Sequence, residues 1–347
     1  MIEVTKILKK GVESGDFPGA GYAVIYKDGF IDYDFVGYRQ ILPKKILNTG
    51  EEIYDCASIT KVICTTTMIM KLIESNKLTL DTKVSSILSR FMHKDISIYH
   101  LLTHSSGLPA DITRAKTLKS REDVLNRIYD YQLINTVGTT IVYSDLGFIL
   151  LGLIIEKLTK KTLDVFAKKV IFDPLGMAHS SYHPDPSMCA PTEFRDDDVY
   201  KGLLQGRVHD EKAFALGGIA GHAGLFSTPN DISLFILSIL NNDSKVLQPA
   251  TVEMLFPMRI KNETEDKTLV RSLGWDKPTK GGTAGDLVSF EDTILHTGFT
   301  GCNIWIERSV GIGFVMLSNA VHPKRNLNNI IKYRNKIGNI VISKKET

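Results

Sequence analysis

The segment Ser58-Ile59-Thr60-Lys61 leads directly into the apolar run Val62 to Ile73. It is the only Ser-x-x-Lys in the 347 residues. The run has few polar breaks, which predicts a helix that is buried on most sides. A serine on the first turn and a lysine three residues later share one face of such a helix. This spacing places an amine beside a hydroxyl, and a hydroxyl needs a neighbouring base to become a nucleophile.

The composition is that of an ordinary globular protein, with 43% apolar and 23% charged residues. Its length allows one large or two interleaved domains that could enclose a deep pocket. The formal charge of +3 is small and dispersed, so we expect no nucleic-acid partner and instead a small-molecule or peptide substrate. The four cysteines, at positions 56, 64, 189 and 302, have no metal-binding spacing and are expected to be buried thiols.

Signals for targeting or membrane insertion are absent from the sequence. The opening residues form an amphipathic pattern without a secretory apolar region. The longest apolar stretch, Leu146 to Ile155, is too short to span a bilayer. We therefore predict a cytoplasmic protein without a membrane span, or an extracytoplasmic one if the N-terminus has been trimmed; the oligomeric state is left open.

Strand patterns stand at both ends of the chain. A helix predicted over about Glu3 to Gly15 precedes two strand-like runs, Gly21–Tyr26 and Phe30–Val36, joined by the hairpin signal Lys27-Asp28-Gly29. Four further strands are predicted near the other end, at Asp286–Glu291, Ile294–His296, Asn303–Glu307 and Gly313–Ser318, followed by a helix at Leu327–Ile342.

The middle of the chain has a helical pattern with long loops. Leu146–Lys157 is strongly helical, and Thr228-Pro229-Asn230-Asp231 is typical of a capped helix start before Ile232–Leu240. We therefore predict an α+β fold, in which both termini build one antiparallel sheet flanked by helices and the middle forms a mostly helical insertion. The expected domains are residues 1–60 together with 285–347, and residues 61–284, with the active site at their interface.

Three short motifs occur in order along the chain. Ser58-Ile59-Thr60-Lys61 is followed by Tyr143-Ser144-Asp145 and then by His296-Thr297-Gly298. This series resembles the three-part pattern of serine β-lactamases and penicillin-binding proteins. Because the second motif begins with tyrosine, the chain most closely resembles the class C β-lactamase-like and D,D-peptidase-like serine hydrolases.

Further segments carry the same resemblance over about residues 12 to 340. They are Leu101–Pro109, Val208–Glu211, Gly217–Thr228, Phe299–Gly301 and Ser318–Pro323. Each block is weak by itself, but their common order is strong. His104, inside the first of these blocks, is expected to be structural.

The resemblance implies a role for each matching residue. Ser58 would attack a carbonyl and form an acyl-enzyme, and Lys61 would accept its proton or hold Tyr143 in a reactive state. Tyr143, its pKa lowered by positive charge nearby, would exchange protons with the nucleophile and the leaving group. The backbone N–H groups of Ser58 and Phe299 would form the oxyanion hole.

The substrate-binding residues implied in the same way are Asp145, His296, Thr297 and Gly298. Thr297 would offer a hydroxyl, and the strand around Gly298 would offer an edge for an extended substrate, since glycine lets a substrate approach the backbone. Asp145 replaces the commoner asparagine, and we expect it to hold Lys61 charged and thereby favour Tyr143 as the base. His296 replaces the commoner lysine and is expected to be charged only below roughly pH 6.5.

The prediction for function is a serine hydrolase that acts on an ester, an amide or a D-amino-acid peptide, without cofactor or metal. His209, Asp210 and His222 could suggest a metal site, but their spacing matches no metal motif. Two alternatives remain open: a sensor of penicillin or wall fragments that acylates without turnover, and a non-catalytic scaffold. The substrate is not written in these motifs, because one scaffold carries many activities.

Overall fold

The structure is a computed structural model and describes residues 2–264 and 268–343. Its α-helices are α1 (Ile2–Glu13), α2 (Thr67–Glu74), α3 (Val84–Ile87), α4 (Ile98–Leu102), α5 (Arg121–Asp130), α6 (Asp145–Thr159), α7 (Leu163–Ala167), α8 (Asp173–Leu175), α9 (Glu211–Ala215), α10 (Pro229–Asn241), α11 (Pro249–Glu253) and α12 (Ile331–Ser343). Two π-helical segments, Lys61–Thr66 and Lys168–Phe172, continue directly into α2 and α8, and short 3₁₀ turns occur at Ala115–Thr117, Pro186–Met188 and Arg325–Leu327.

The strands are β1 (Gly19–Tyr26), β2 (Ile31–Gln40), β3 (Ile46–Leu47), β4 (Tyr54–Asp55), β5 (Phe194–Asp196), β6 (Lys201–Leu203), β7 (Phe226–Ser227), β8 (Ile260–Glu263), β9 (Thr268–Arg271), β10 (Thr293–Thr297), β11 (Asn303–Glu307) and β12 (Ile312–Ser318). Six of them form the main sheet, in the order β10-β11-β12-β1-β2-β3. All neighbours are antiparallel, and Tyr22 of β1 faces Met316 of β12. Strands from both ends of the chain therefore meet at the centre of one sheet.

The two faces of this sheet bury different sets of side chains. Successive residues of a strand point to opposite faces, and in β12 Phe314 and Met316 join the core shared with α1 and α12, whereas Val315 and Leu317 join the core shared with α10. The second core extends into the helices from the middle of the chain. The sheet is thus covered by helices on both faces, and the predicted α+β architecture is confirmed.

Several predicted elements match the structure. The hairpin at residues 27–29 is closed by a Gly29 N–H to Tyr26 C=O bond of 2.9 Å, and Gly29 has the positive φ that such a turn requires. The Thr228 hydroxyl accepts the N–H of Asp231 and caps α10, as predicted. The helix after Ser58 is present and buried, with its first complete turns in π form. The domain boundaries stay a prediction.

Two predicted elements differ. The strand predicted at Asp286–Glu291 is wrong, because these residues form turns: the Asp286 carboxylate accepts the N–H of Gly281, and Leu287 is 57% exposed. An apolar residue on a turn produced a false alternation. The last helix was predicted to begin at Leu327, but α12 begins at Ile331 after a separate 3₁₀ turn. No helix within residues 2–264 and 268–343 is long and apolar enough to cross a membrane.

Candidate active site

Ser58 lies on a turn between β4 and the buried helix. The residue before it, Ala57, has φ of 47°, a left-handed conformation that is uncommon for a residue with a side chain. The buried carboxylate of Asp55 stabilises this turn. It accepts the N–H of Ala57 at 2.9 Å and the N–H of His209 at 2.7 Å. The protein therefore fixes the serine on a constrained turn, as nucleophilic sites often do.

Lys61 is completely buried and its ammonium group has three acceptors. Its Nζ lies 2.9 Å from Ser58 Oγ, 3.0 Å from the carbonyl oxygen of His222 and 2.8 Å from Asp145 Oδ1. Burial by itself lowers the pKa of Lys61, but the negative charge of Asp145 and the neighbouring Tyr143 outweigh it and raise the pKa. The ammonium group therefore has two hydrogen bonds and one ion pair.

Tyr143 stands beside Lys61 on the loop before α6. Its ring centroid is 4.9 Å from Lys61 Nζ and 5.3 Å from the Arg271 guanidinium carbon. The ring of His104 packs against it at 4.6 Å, and His104 Nδ1 accepts the N–H of Ser144 at 3.0 Å. The buried His104, expected to be structural, thus fixes the backbone next to Tyr143. Two cationic side chains therefore lie close to the ring of Tyr143.

Asp145 joins Lys61 to a second buried lysine. Lys212, at the start of α9, lies 3.2 Å from Asp145 Oδ2, 3.0 Å from Asp210 and 2.8 Å from Asp111. Burial raises the pKa of Asp145, but the charges of Lys61 and of its other neighbours outweigh it and lower that pKa. Both carboxylate oxygens of Asp145 therefore face ammonium groups, which fits the expected role of holding Lys61 charged better than direct contact with a substrate.

One group of side chains among the described residues could supply ligand atoms to a metal ion. Ligand atoms of Asp145, Asp210 and His222 lie within 4.8 Å of one another. His222 Nε2 is 2.7 Å from Asp210 Oδ1, and both carboxylates already contact lysine ammonium groups. Two fixed cations at these carboxylates repel a further cation, so the set is better described as an ion-pair network.

The third motif lies at the end of β10. His296 is buried, its Nδ1 lies 2.9 Å from the carbonyl oxygen of Thr297, and its Nε2 has no partner among the described residues. Burial, together with the charges of Lys61 and Arg271, lowers the pKa of His296 to about 3. His296 was expected to be charged only below roughly pH 6.5; in the structure it stays neutral to a much lower pH, and the positive charge here comes from other residues.

Thr297 and Gly298 complete the wall opposite the helical residues. Thr297 is partly buried and pairs with Asn303 of β11. A Cβ atom on Gly298 would lie 2.6 Å from the carbonyl oxygen of Cys56, closer than real Cβ contacts allow. A glycine at this position lets the strand end pack against the turn that carries Ser58.

Phe299 follows at the mouth of the cavity. Its side chain is 56% exposed and stacks on the ring of His209 at 5.7 Å. The backbone N–H groups of Ser58 and Phe299 donate to no acceptor within the described part of the chain. Two unpaired N–H groups at one cavity can receive an anionic oxygen.

These residues surround a cavity of about 690 Å³, the volume of a small-molecule site. Ser58, Tyr143, Asp145, His296, Thr297, Gly298 and Phe299 all line it, while Lys61 reaches Ser58 from the protein interior. The structure therefore brings every predicted site residue to one place.

Four cationic residues that line the cavity were not found from the sequence. They are Arg271 at the end of β9, Lys212 next to the segment Val208–Glu211, Arg325 in the last 3₁₀ turn, and Arg334 on α12. Lys212 adjoins a recognised block and could have been suspected from it. Arg271 and Arg334 stand in no motif, and only the fold brings them to Ser58.

The chain belongs to the β-lactamase family: the family model described as Beta-lactamase matches residues 4–336. Two similar proteins are an N-acetylmuramyl-L-alanine amidase of Bacillus subtilis (strain 168), 31% identical over 366 residues, and a putative D-alanyl-D-alanine carboxypeptidase of Escherichia coli (strain K12), 31% identical over 331 residues. The alignments cover 92% of this chain and 81% of the first protein, and 83% and 75% for the second. These relatives are named as hydrolases, as the sequence analysis predicted for this chain.

Solved structures confirm the fold. EstCE1, a hydrolase with promiscuous acyltransferase activity, has a TM-score of 0.77 at 18% identity, with 97% of both chains covered. A class C β-lactamase has a TM-score of 0.75 at 17% identity, covering 98% of this chain and 94% of the other. The β-lactamase and penicillin-binding-protein-like fold expected from the three motifs is therefore correct.

Proposed function

We propose that the protein is a serine hydrolase that works through an acyl-enzyme on Ser58. The observation that carries this proposal is the contact of 2.9 Å between Ser58 Oγ and the buried Lys61 ammonium, on a constrained turn at the wall of the cavity. A helix-capping serine needs no buried cation at its hydroxyl, and an ion pair at this depth is retained against a desolvation penalty. Such an arrangement serves a hydroxyl that has to lose its proton.

Tyr143 is the proposed base. Lys61 is held as an ammonium by three acceptors and has no lone pair with which to take a proton. Tyr143, whose ring lies close to both Lys61 and Arg271, would take the proton of Ser58. Lys61 would then stabilise the negative charge that passes between the two oxygens.

The reaction would run in two steps. Ser58 Oγ bonds to the carbonyl carbon of the substrate, its proton passes to Tyr143, and the bond from that carbon to the leaving nitrogen or oxygen breaks as Tyr143 protonates it. Water then attacks the ester on Ser58, releasing the acid and restoring the serine hydroxyl. In both steps the N–H groups of Ser58 and Phe299 would bind the oxyanion.

The proposed substrate class is an amide in a fragment of bacterial cell wall. Support comes from the two relatives at 31% identity, whose names place amide hydrolysis in N-acetylmuramyl-L-alanine and in D-alanyl-D-alanine. The cavity is large enough for a compound of this size, and its wall carries charged groups that suit a polar fragment.

Intact-mass spectrometry tests the nucleophile. Incubation with a fluorophosphonate should add one phosphonate to the wild-type protein and none to Ser58→Ala. Ser187→Ala, which removes a serine hydroxyl from an exposed position, should label like the wild type. Labelling that persists in Ser58→Ala, or no labelling of the wild type, would contradict the proposal.

Product analysis tests the substrate class. N-acetylmuramyl-L-alanine and N-acetyl-D-alanyl-D-alanine are incubated with the protein, and free L-alanine or D-alanine is measured. Release of either amino acid, lost in Ser58→Ala, supports an amidase or a carboxypeptidase. A penicillin adduct that persists on Ser58 without product would instead support a sensor. Hydrolysis of simple esters alone would make the protein an esterase.

A further inference from the structure

Two exposed apolar side chains line the cavity close to each other. Phe299 is 56% exposed and Ile331 is 66% exposed. The carbonyl oxygen of Phe299 accepts a hydrogen bond from Asn328 Nδ2 at 3.1 Å, and Asn328 Oδ1 accepts the N–H of Ile330 at 3.3 Å. These bonds connect the two apolar residues across the mouth of the cavity. Apolar surface that is exposed at a cavity is a common mark of a ligand contact.

The ring of Phe299 is fixed on one face only. It stacks on the ring of His209 at 5.7 Å, with 24° between the planes, and the guanidinium carbon of Arg325 lies 5.9 Å from its centroid. His209 Nε2 and Arg325 Nη2 lie 3.0 Å and 2.7 Å from the same oxygen of Glu193, so both groups are on one side of the ring. The exposed surface of Phe299 therefore lies mainly on its other face, which is open to the cavity.

Polar side chains surround this open aromatic face. Glu211, Arg325 and Asn328 line the same cavity as Phe299. One carboxylate oxygen of Glu211 lies 2.8 Å from Arg325, and the carboxylate keeps further lone pairs that can accept hydrogen bonds. A wholly apolar ligand would remove water from these polar groups without replacing their hydrogen bonds. A ligand with one apolar face and a polar edge would contact the ring and also supply those bonds.

The ring also has a defined position relative to the reacting centre. The backbone N–H of Phe299 is one of the two proposed oxyanion donors. The N–H of Gly298 donates to the carbonyl oxygen of Cys302 at 2.9 Å, and the N–H of Gly301 donates to that of Gly298 at 3.1 Å, which stabilises the turn that contains Phe299. A group that stacks on this ring would therefore be attached to the substrate close to the carbonyl under attack.

We propose that Phe299 binds a sugar ring that the substrate carries next to the scissile carbonyl. The inference rests on the proposed function and narrows its substrate class to wall fragments that are cut beside a sugar. A pyranose ring has a face of C–H groups and an edge of hydroxyl groups. The C–H face fits the electron-rich face of an aromatic ring, and the hydroxyl edge fits the polar side chains around Phe299.

A pair of amides measures this selectivity. The substrates are N-acetylmuramyl-L-alanine and (R)-2-methoxypropanoyl-L-alanine, in which a methyl group replaces the sugar and the scissile amide is the same. The wild type should release L-alanine from the sugar compound with the higher kcat/KM. Phe299→Ala keeps the backbone N–H and removes the ring, so the preference should fall roughly 10-fold. Hydrolysis of the methyl ether should stay close to that of the wild type.

Two further variants and a third substrate sharpen the test. Phe299→Trp keeps an aromatic face and should keep most of the preference. Phe30→Ala removes a ring that is 62% exposed next to the hairpin at residues 27–29, and should keep all of it. Equal use of the two amides by the wild type, a preference that survives in Phe299→Ala, or an equal loss for both amides overturns the proposal. Better use of a benzyl ether in place of the sugar would also overturn it.

Binding to Ser58→Ala tests the sugar contact without any turnover. Calorimetry compares the same two amides, and the sugar compound should bind at least about 10-fold more tightly unless Phe299→Ala is added. Absence of phosphonate labelling in the wild type would refute the Ser58 nucleophile and leave this comparison intact. The same affinity for both ligands, including no binding of either, would refute the sugar contact at Phe299.

Discussion

On the helical side of the cavity the lysines have carboxylate partners, whereas on the sheet side Arg334 has a backbone carbonyl as its acceptor within the described part of the chain. Lys61 has three acceptors within 3.0 Å, and one of them is Asp145. Arg334 has a single acceptor, the Cys302 carbonyl, among the described residues. The lysines on the helical side have their carboxylate partners before a substrate binds, so we interpret this side as the part that prepares the nucleophile. On the sheet side, no carboxylate of the described residues forms an ion pair with Arg334.

The largest effect on turnover is expected from removing the ammonium group of Lys61 on the helical side. In Lys61→Met, the turnover of a neutral ester should fall roughly 10²- to 10⁴-fold, the range for loss of a group that assists proton transfer. The reason is that Ser58 and Tyr143 lose the cation between them. Lys71→Met, ten residues later in the same helical stretch, should keep wild-type turnover. Near-normal turnover in Lys61→Met would show that the ammonium does not assist the reaction.

A second substitution, Gly298→Ala, should shift the sheet side of the cavity relative to the helical side. In Gly298→Ala the new Cβ would approach the carbonyl oxygen of Cys56 to 2.6 Å, so the end of β10 has to shift from Ser58. A misplacement of this kind should lower kcat about 100-fold. Gly147→Ala adds a methyl group at an ordinary distance of 3.6 Å from Leu101 and should have little effect. Kinetics on the neutral ester measure both, and equal rates for the two variants would contradict the close packing.

A smaller effect on rate is expected at Lys212. In Lys212→Met the carboxylates of Asp145 and Asp210 lose a cation that lowers their pKa, so those pKa values should rise. As the pH falls, activity should then be lost at a higher pH than in the wild type, with a decrease in kcat of about 10-fold at neutral pH. Lys201→Met, at an exposed position, should keep the wild-type pH profile. A lower rate with an unchanged profile would assign Lys212 a purely structural role.

The smallest effect on activity is expected from replacing His296. This replacement should instead change how the free energy of unfolding depends on pH. The folded protein keeps this side chain neutral down to a pKa of about 3, whereas the unfolded chain binds a proton near pH 6.5. The wild type should therefore lose stability as the pH falls below 6.5, and His296 should account for about 2 kcal/mol of that loss at pH 5. Urea unfolding of His296→Gln at pH 7 and pH 5 should show a correspondingly smaller loss.

The exposed His179 supplies the matched control. In His179→Gln the same replacement is made at a side chain that is 61% exposed, and its change in stability between pH 7 and pH 5 is measured beside that of His296→Gln. If His296→Gln loses as much stability as the wild type between pH 7 and pH 5, His296 titrates normally in the folded protein. It would then be available as a charge on the sheet side, and the contrast between the two sides would weaken.

The sequence was informative where chemistry depends on close spacing. Ser58 and Lys61 are three residues apart, and Tyr143 precedes a helix that is evident from its apolar run. Arg334 could not be found in this way, because the packing of α12 on the sheet is what buries it. The lack of a carboxylate beside it, among the described residues, is likewise a property of the folded chain. The turn at Asp286 was misread because its carboxylate and an exposed leucine imitate a strand pattern.

The central pairing of β1 with β12 has a consequence for how the molecule is made. Tyr22 can pair with Met316 only after the ribosome has synthesised nearly the whole chain. Closing so long a loop is slow, and β10, which carries His296 and ends just before Gly298, joins the rest of the sheet through β11 and β12. The helical partners of Ser58 can therefore be synthesised and begin to fold before the opposite wall exists. A working cavity is expected to be one of the last parts of this protein to form, and one of the first to be lost when the C-terminal strands detach.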